Sequence, residues 1–212
     1  MSQRWLARAL MLVAILVFLP SPAAAQNERT AASAGDFQAR SMLQRAQELL
    51  DMDEHDRGVK MLESLLDQYP DSVYRYHAYL ALGKEYLDRH EQPQAIKYLR
   101  HLRHLDRRSD DPLTGDLRDL YLEGSYLTGV AYYRMRQYPN AFPVLREITR
   151  KYPNTIWANQ AYYYIGMCHF AQENWNKAIK ALSLVGTFVD PDSPSVQYVE
   201  AGHRFYVKVS DA

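Results

Sequence analysis

Cysteine is almost missing from this chain: Cys168 stands alone among 212 residues, so no internal disulfide can brace the fold and stability must come from packing. Charge of one sign is missing too, with 25 basic residues against 25 acidic ones. A nucleic-acid binder leans on a concentrated positive field, and the composition supplies none. No apolar run reaches the roughly 20 residues that a membrane span needs. No glycine-rich phosphate loop, H-E-x-x-H or G-x-S-x-G occurs. Alternating apolar and polar residues, the mark of a half-buried strand, are also scarce.

What is present begins with a boundary. Arg4 and Arg8 precede the eleven-residue apolar run Ala9–Leu19, which is followed by the small-x-small triplet Ala23–Ala24–Ala25. That order reads as a secretory signal over residues 1–25, cut after Ala25, with an uncleaved amino-terminal anchor as the competing reading. No cysteine follows the run, so a bacterial lipoprotein anchor has no acceptor. Cleavage removes two arginines and no acid, leaving 23 basic and 25 acidic residues and a formal charge of −2. Residues 26–38 then read as a flexible lead.

The rest of the chain repeats itself, and a missed repeat misreads a fold. Four segments carry a small residue in a helical apolar pattern: Ala46, Gly83, Gly129 and Gly166. Twelve residues on comes a second small residue (Gly58, Ala95, Ala141, Ala178), and four further a leucine (Leu62, Leu99, Leu145, Leu182). Tyr69–Pro70 and Tyr152–Pro153 close two segments. Proline forces the preceding residue out of the helical region, so these are stops, with Asp71 or Ser72 and Asn154 or Thr155 as capping side chains for the next helix. Met42, Leu43, Ala46, Leu49 and Leu50 fall on one helical stripe.

This pattern resembles the tetratricopeptide repeat, in which small residues let two antiparallel helices approach closely. Tyr86 and Tyr132 stand where that family favours tyrosine. The pattern also departs from the family. Its early tryptophan is replaced by Met42, Tyr79, Ser125 and Tyr162, and the small residues lie 37, 46 and 37 apart, where the family's unit is about 34 residues. Longer units with "YPDS" and "YPNT" connectors resemble repeat proteins of the bacterial cell envelope, of the Tol–Pal-associated or outer-membrane-assembly type.

The resemblance implies an all-α, right-handed α-solenoid of about four helix pairs (39–72, 76–109, 122–155, 159–191). Residues 106–119, with Pro112 and Gly115, read as an inter-repeat loop. Tyr198, Ala201, Gly202 and Phe205 repeat the start of the fourth pair, so residues 192–212 read as a fifth, capping helix or as the opening of a continuing region.

Chemistry finds little purchase. Cys168 and His169 are neighbours about 100° apart on one helix and are poorly placed to pair as nucleophile and base. His101 and His104 lie three apart, but no third ligand with diagnostic spacing follows. The reading is a non-enzyme with no catalytic residues, no metal and no cofactor.

By the resemblance, the concave wall is lined by the first helix of each pair. The inward positions are His77, Leu80, Lys84 and Leu87; then Glu123, Tyr126, Val130, Tyr133 and Arg134; then Gln160, Tyr163, Met167 and Phe170. The expected partner is a protein or peptide segment held in this groove, with no nucleic acid and no membrane span in the mature chain. The setting is exported, in the periplasm or cell envelope of a bacterium, as a member of an envelope complex. The alternative is an assembly or targeting domain of a longer envelope enzyme or multidomain protein truncated at 212. A lectin-like or small-molecule binder is the remaining reading.

Overall fold

The computed structural model describes residues 22–105, 113 and 115–186. The signal segment before Pro22 and the proposed fifth helix over 192–212 lie outside the described residues. Among the described residues eight helices follow one another: α1 (Pro22–Asp51), α2 (His55–Gln68), α3 (Arg75–Asp88), α4 (Gln92–Arg103), α5 (Gly115–Arg134), α6 (Tyr138–Lys151), α7 (Ile156–Ala171) and α8 (Trp175–Leu182). No strand occurs among the described residues.

Each pair closes through the same turn. Asp53, His90, Arg136 and Glu173 lie seven residues past the four small residues, and all adopt φ of 59–60°. The next residue's N–H returns to the carbonyl five back: Glu54 to Leu49, Glu91 to Tyr86, Gln137 to Tyr132 and Asn174 to His169, at 2.8–2.9 Å. This is a helix end in the Schellman arrangement, built on side chains where glycine would be cheaper by roughly 1 kcal/mol.

The small residues work by admitting a leucine. A Cβ added to Gly83 would lie 2.3 Å from Leu99 Cδ2, one on Gly129 2.4 Å from Leu145 Cδ2, and one on Gly166 2.6 Å from Leu182 Cδ2. Each of these leucines follows its glycine by sixteen residues and is at most 2% exposed. The first pair reverses the roles: Gly58 on α2 receives Leu50 from α1, and a Cβ there would sit 3.2 Å from the Ala46 carbonyl. Small residue does meet small residue in the first and fourth pairs, where an added Cβ would lie 3.2 Å from the Ala46 carbonyl and 3.5 Å from that of Ala178, but in every pair a leucine makes the closest approach to the glycine.

Helices pack with their sequence neighbours, and the first helices α1, α3, α5 and α7 also touch in succession, whereas α2, α4, α6 and α8 make at most marginal contact with one another. An array in which only the first helices meet is curved, with those helices inside. One apolar core runs from Leu80 through Leu145 to Ala181, and a second joins α1 and α2 to Leu82 and Tyr98. A polar knot around the buried Glu85 links the first two pairs: Glu85 accepts from Arg89 Nε at 2.6 Å and lies 3.0 Å from His55 Nδ1, while Arg89 Nη1 reaches the exposed Asp56 at 3.0 Å.

Two boundaries differ from expectation. Helix α1 runs back to Pro22, so residues 26–38 belong to a helix and not to a flexible lead. Helix α5 opens at Gly115, so the loop over 106–119 ends earlier than its Pro and Gly suggest; Asp116 in the first turn suits the positive end of the helix dipole. Of the proposed caps, Thr155 is the N-cap of α7 and accepts from the Ala158 N–H, whereas Tyr74 holds the N-cap position of α3 and Ser72 accepts from the Tyr74 N–H at 3.2 Å while donating to Asp36 at 2.5 Å.

Candidate partner-binding wall

The inner wall is made where α3, α5 and α7 succeed one another, and the expected inward residues divide there into three kinds. Polar ones stitch adjacent first helices together. Lys84 on α3 pairs with Glu123 on α5 at 2.5 Å, His77 Nε2 lies 3.2 Å from Asp116, and Arg134 Nη1 donates to the Leu87 carbonyl at 2.9 Å. Lys84 and Arg134 remain exposed but are tethered; they give the wall its register more than they offer free charge.

A second group is inside the wall. Tyr126, Val130 and Gln160 are 6%, 3% and 6% exposed, so as the chain stands they offer little surface to a partner. Leu80 and Leu87 are buried in the same way. Tyr126 packs at 5.6 Å from Trp157 and 5.8 Å from Tyr164, bridging α5 and α7. Tyr133 adds an edge contact to Tyr164 at 5.3 Å and meets Tyr138 at 6.0 Å.

The third group is partly open: Tyr133, Tyr163, Met167 and Phe170. Tyr163 stands edge-on to Tyr164 at 5.3 Å, and Phe170 edge-on to Trp175 at 5.2 Å. These four form an apolar surface on a scaffold of aromatic rings already packed against each other. Tyr164, which touches both Tyr133 and Tyr163, and Trp157, which packs on Tyr126, did not stand out as inward positions; the only sequence signal was the density of aromatics in 157–164.

Cys168, His169 and His101, singled out by the sequence, are packed side chains. Cys168 is fully buried, and burial pushes its thiol up to about 12. His169 stacks on Phe142 at 4.5 Å between ring centres, and burial followed by the charges of Arg146 and Lys177 holds its pKa below the usual value. His101 lies flat on Tyr79 at 4.2 Å. Among the described residues no three His, Cys, Asp or Glu side chains gather as a metal site, and no helix is long and apolar enough to cross a membrane.

The thiol makes a prediction. A thiol-selective reagent at neutral pH should label native Cys168 at least about a hundredfold more slowly than it labels the unfolded chain, because the thiolate is the nucleophile and burial suppresses it. The linkage has a definite sign. The unfolded thiol ionises first, so the stability held by the neutral thiol is complete below pH about 8.5 and is lost as pH rises towards 12. Cys168→Ala should flatten that alkaline decline in urea midpoints measured across pH.

Comparison with known proteins agrees with the geometry. A family model described as Tetratricopeptide repeat matches residues 38–72, 123–155 and 160–186. Those are the first, third and fourth helix pairs. The second, α3–α4, lies outside the matched segments yet has the same turn at His90 and the same contact of Gly83 with Leu99. No curated protein matches the chain.

Proposed function

We propose, from a chain that carries tetratricopeptide repeats, a non-catalytic scaffold of the bacterial cell envelope whose inner wall between α5 and α7 holds an apolar, aromatic-bearing peptide segment of a partner protein. Repeats of this kind suit protein interaction, because stacked helix pairs offer an extended concave surface. The observation that carries the reading is the partly open row Tyr133, Tyr163, Met167 and Phe170, backed by the packed Tyr126, Trp157 and Tyr164. Aromatic rings supply large contact area with few torsions to freeze, and methionine adapts to the shape it meets. Rings already fixed by their neighbours lose little further freedom on binding. Export is supported by Arg4, Arg8, the apolar run and the Ala23–Ala25 triplet.

The test is quantitative capture of partners from envelope extract. Tyr163→Ala with Met167→Ala should weaken retention of the partner at least about tenfold, the scale of lost interface anchors, while far-ultraviolet helicity stays unchanged. Undiminished retention by a folded double variant would remove the wall from the interface.

A further inference from the structure

The neutral total charge conceals a separation by face. Helices α4, α6 and α8, the outer members of the last three pairs, carry eight basic residues against one acid, Glu147. Their inner partners α3, α5 and α7 are close to balance. Glu147 is already engaged by Arg103 at 3.4 Å and Lys151 at 3.1 Å. Six cations remain, all exposed: Lys97 and Arg100 on α4, Arg146 and Arg150 on α6, Lys177 and Lys180 on α8. None forms an ion pair among the described residues; Lys97 and Arg146 rest over the rings of Tyr98 and Phe142.

These six fall at repeating places. Lys97 and Lys180 lie two residues after the buried Ala95 and Ala178, and Arg100 and Arg146 lie five after Ala95 and Ala141. At about 100° per residue these offsets, with Arg150 and Lys177, turn roughly 140–260° away from the inner helix. The cations therefore form one stripe across three repeats on the convex side. At its α6–α8 end the stripe borders a cavity of about 280 Å³ lined by Arg146, Lys177 and Lys180 above Ile165, Ala181 and Leu184, with no carboxylate among its lining residues. Leu184 is 37% exposed.

We infer that this convex stripe docks on an anionic phospholipid surface, with the α6–α8 cavity receiving a lipid phosphate over its apolar floor. A basic face attracts any polyanion, but cations set around a cavity with an apolar floor, with Leu184 exposed at its edge, match the boundary where lipid phosphate gives way to acyl chain. A free acidic peptide or a nucleic acid backbone offers nothing to that floor. Two imbedded imidazoles register the field: burial first, then Arg100, His104 and Lys97, lowers His101, and Arg146 and Lys177 act likewise on His169. The concave wall is left free, so the chain would present a partner segment on one side while resting on a membrane with the other.

The experiment is vesicle flotation of the full chain at physiological salt, comparing phosphatidylcholine vesicles with vesicles containing one quarter phosphatidylglycerol. A preference for the anionic vesicles is expected, falling roughly a hundredfold in Arg146→Gln/Lys177→Gln/Lys180→Gln and fading as salt is raised. Lys177→Arg with Lys180→Arg should keep the preference. So should Arg40→Gln/Arg45→Gln/Lys60→Gln, which removes equal charge from the first pair. Equal binding to both vesicle types, equal loss in the two neutralised variants, or tighter binding of polyglutamate or duplex DNA than of anionic vesicles would each overturn the inference.

Discussion

Gly129→Leu is expected to abolish cooperative unfolding of the array, seen as loss of the urea transition monitored by far-ultraviolet circular dichroism. The first added carbon alone would lie 2.4 Å from Leu145 Cδ2 and 2.6 Å from its Cγ. Leu145 is fully buried, so it cannot swing out into solvent without giving up its place in the core. Replacing glycine inside a helix with a better helix former returns about 1 kcal/mol, whereas overpacking a tight core costs about 1–3 kcal/mol and more when several carbons are forced in. Leucine forces in four, at the centre of a molecule whose whole stability is of the order of 5–15 kcal/mol. The clash therefore wins. Gly35→Ala supplies the contrast: its added Cβ would meet nothing closer than Tyr69 Cδ1 at 3.8 Å, so that variant should be neutral or slightly more stable.

Tyr126→Ala should destabilise the chain by about 3–5 kcal/mol, the range for deleting a buried aromatic side chain. Its ring is 6% exposed and sits where α5 and α7 meet, against Trp157 and Tyr164. The loss would leave a cavity between two repeats and let Tyr164 drift from Tyr133, so partner binding should fall as a consequence of lost structure. Tyr163→Ala removes a partly open ring and should cost at most about 1 kcal/mol, in line with substitutions away from the core. Thermal or urea unfolding of the two variants checks the division between what builds the wall and what faces outward from it. Similar stability losses in both would erase it.

That division marks the limit of what the sequence displays. The recurrence of small residues and leucines revealed the helix pairs because in three of the four pairs both members of the contact lie on one chain sixteen residues apart. The helices that carry the expected inner positions were legible as well. Their depth was not: whether Tyr126 or Gln160 is open depends on how closely the next first helix approaches, a distance between repeats that no spacing within one repeat encodes.

Boundaries failed for a local reason. Gly115 reads as a loop residue, and its φ of +60° honours that preference, yet it is also the residue on which α5 begins. The turn residues Asp53, His90, Arg136 and Glu173 escaped notice because they fill a position that glycine usually marks. The basic stripe was hidden by cancellation. Only the register of α4, α6 and α8 gathers its cations on one side, and the run from Arg100 to Arg108 taken alone reads as a solvated helix face.

The central claim is that each pair of helices is held by a leucine seated on a glycine. Its most direct test is a double-mutant cycle of Gly129→Ala and Leu145→Ala, with unfolding free energies measured in urea. If the claim holds, Gly129→Ala destabilises the chain when Leu145 is present but is neutral or stabilising when Leu145→Ala has cleared the space, a coupling of about 1–3 kcal/mol. Additive effects within about 0.5 kcal/mol would show that Gly129 and Leu145 do not bear on each other, and the account of how these helices pair would be wrong.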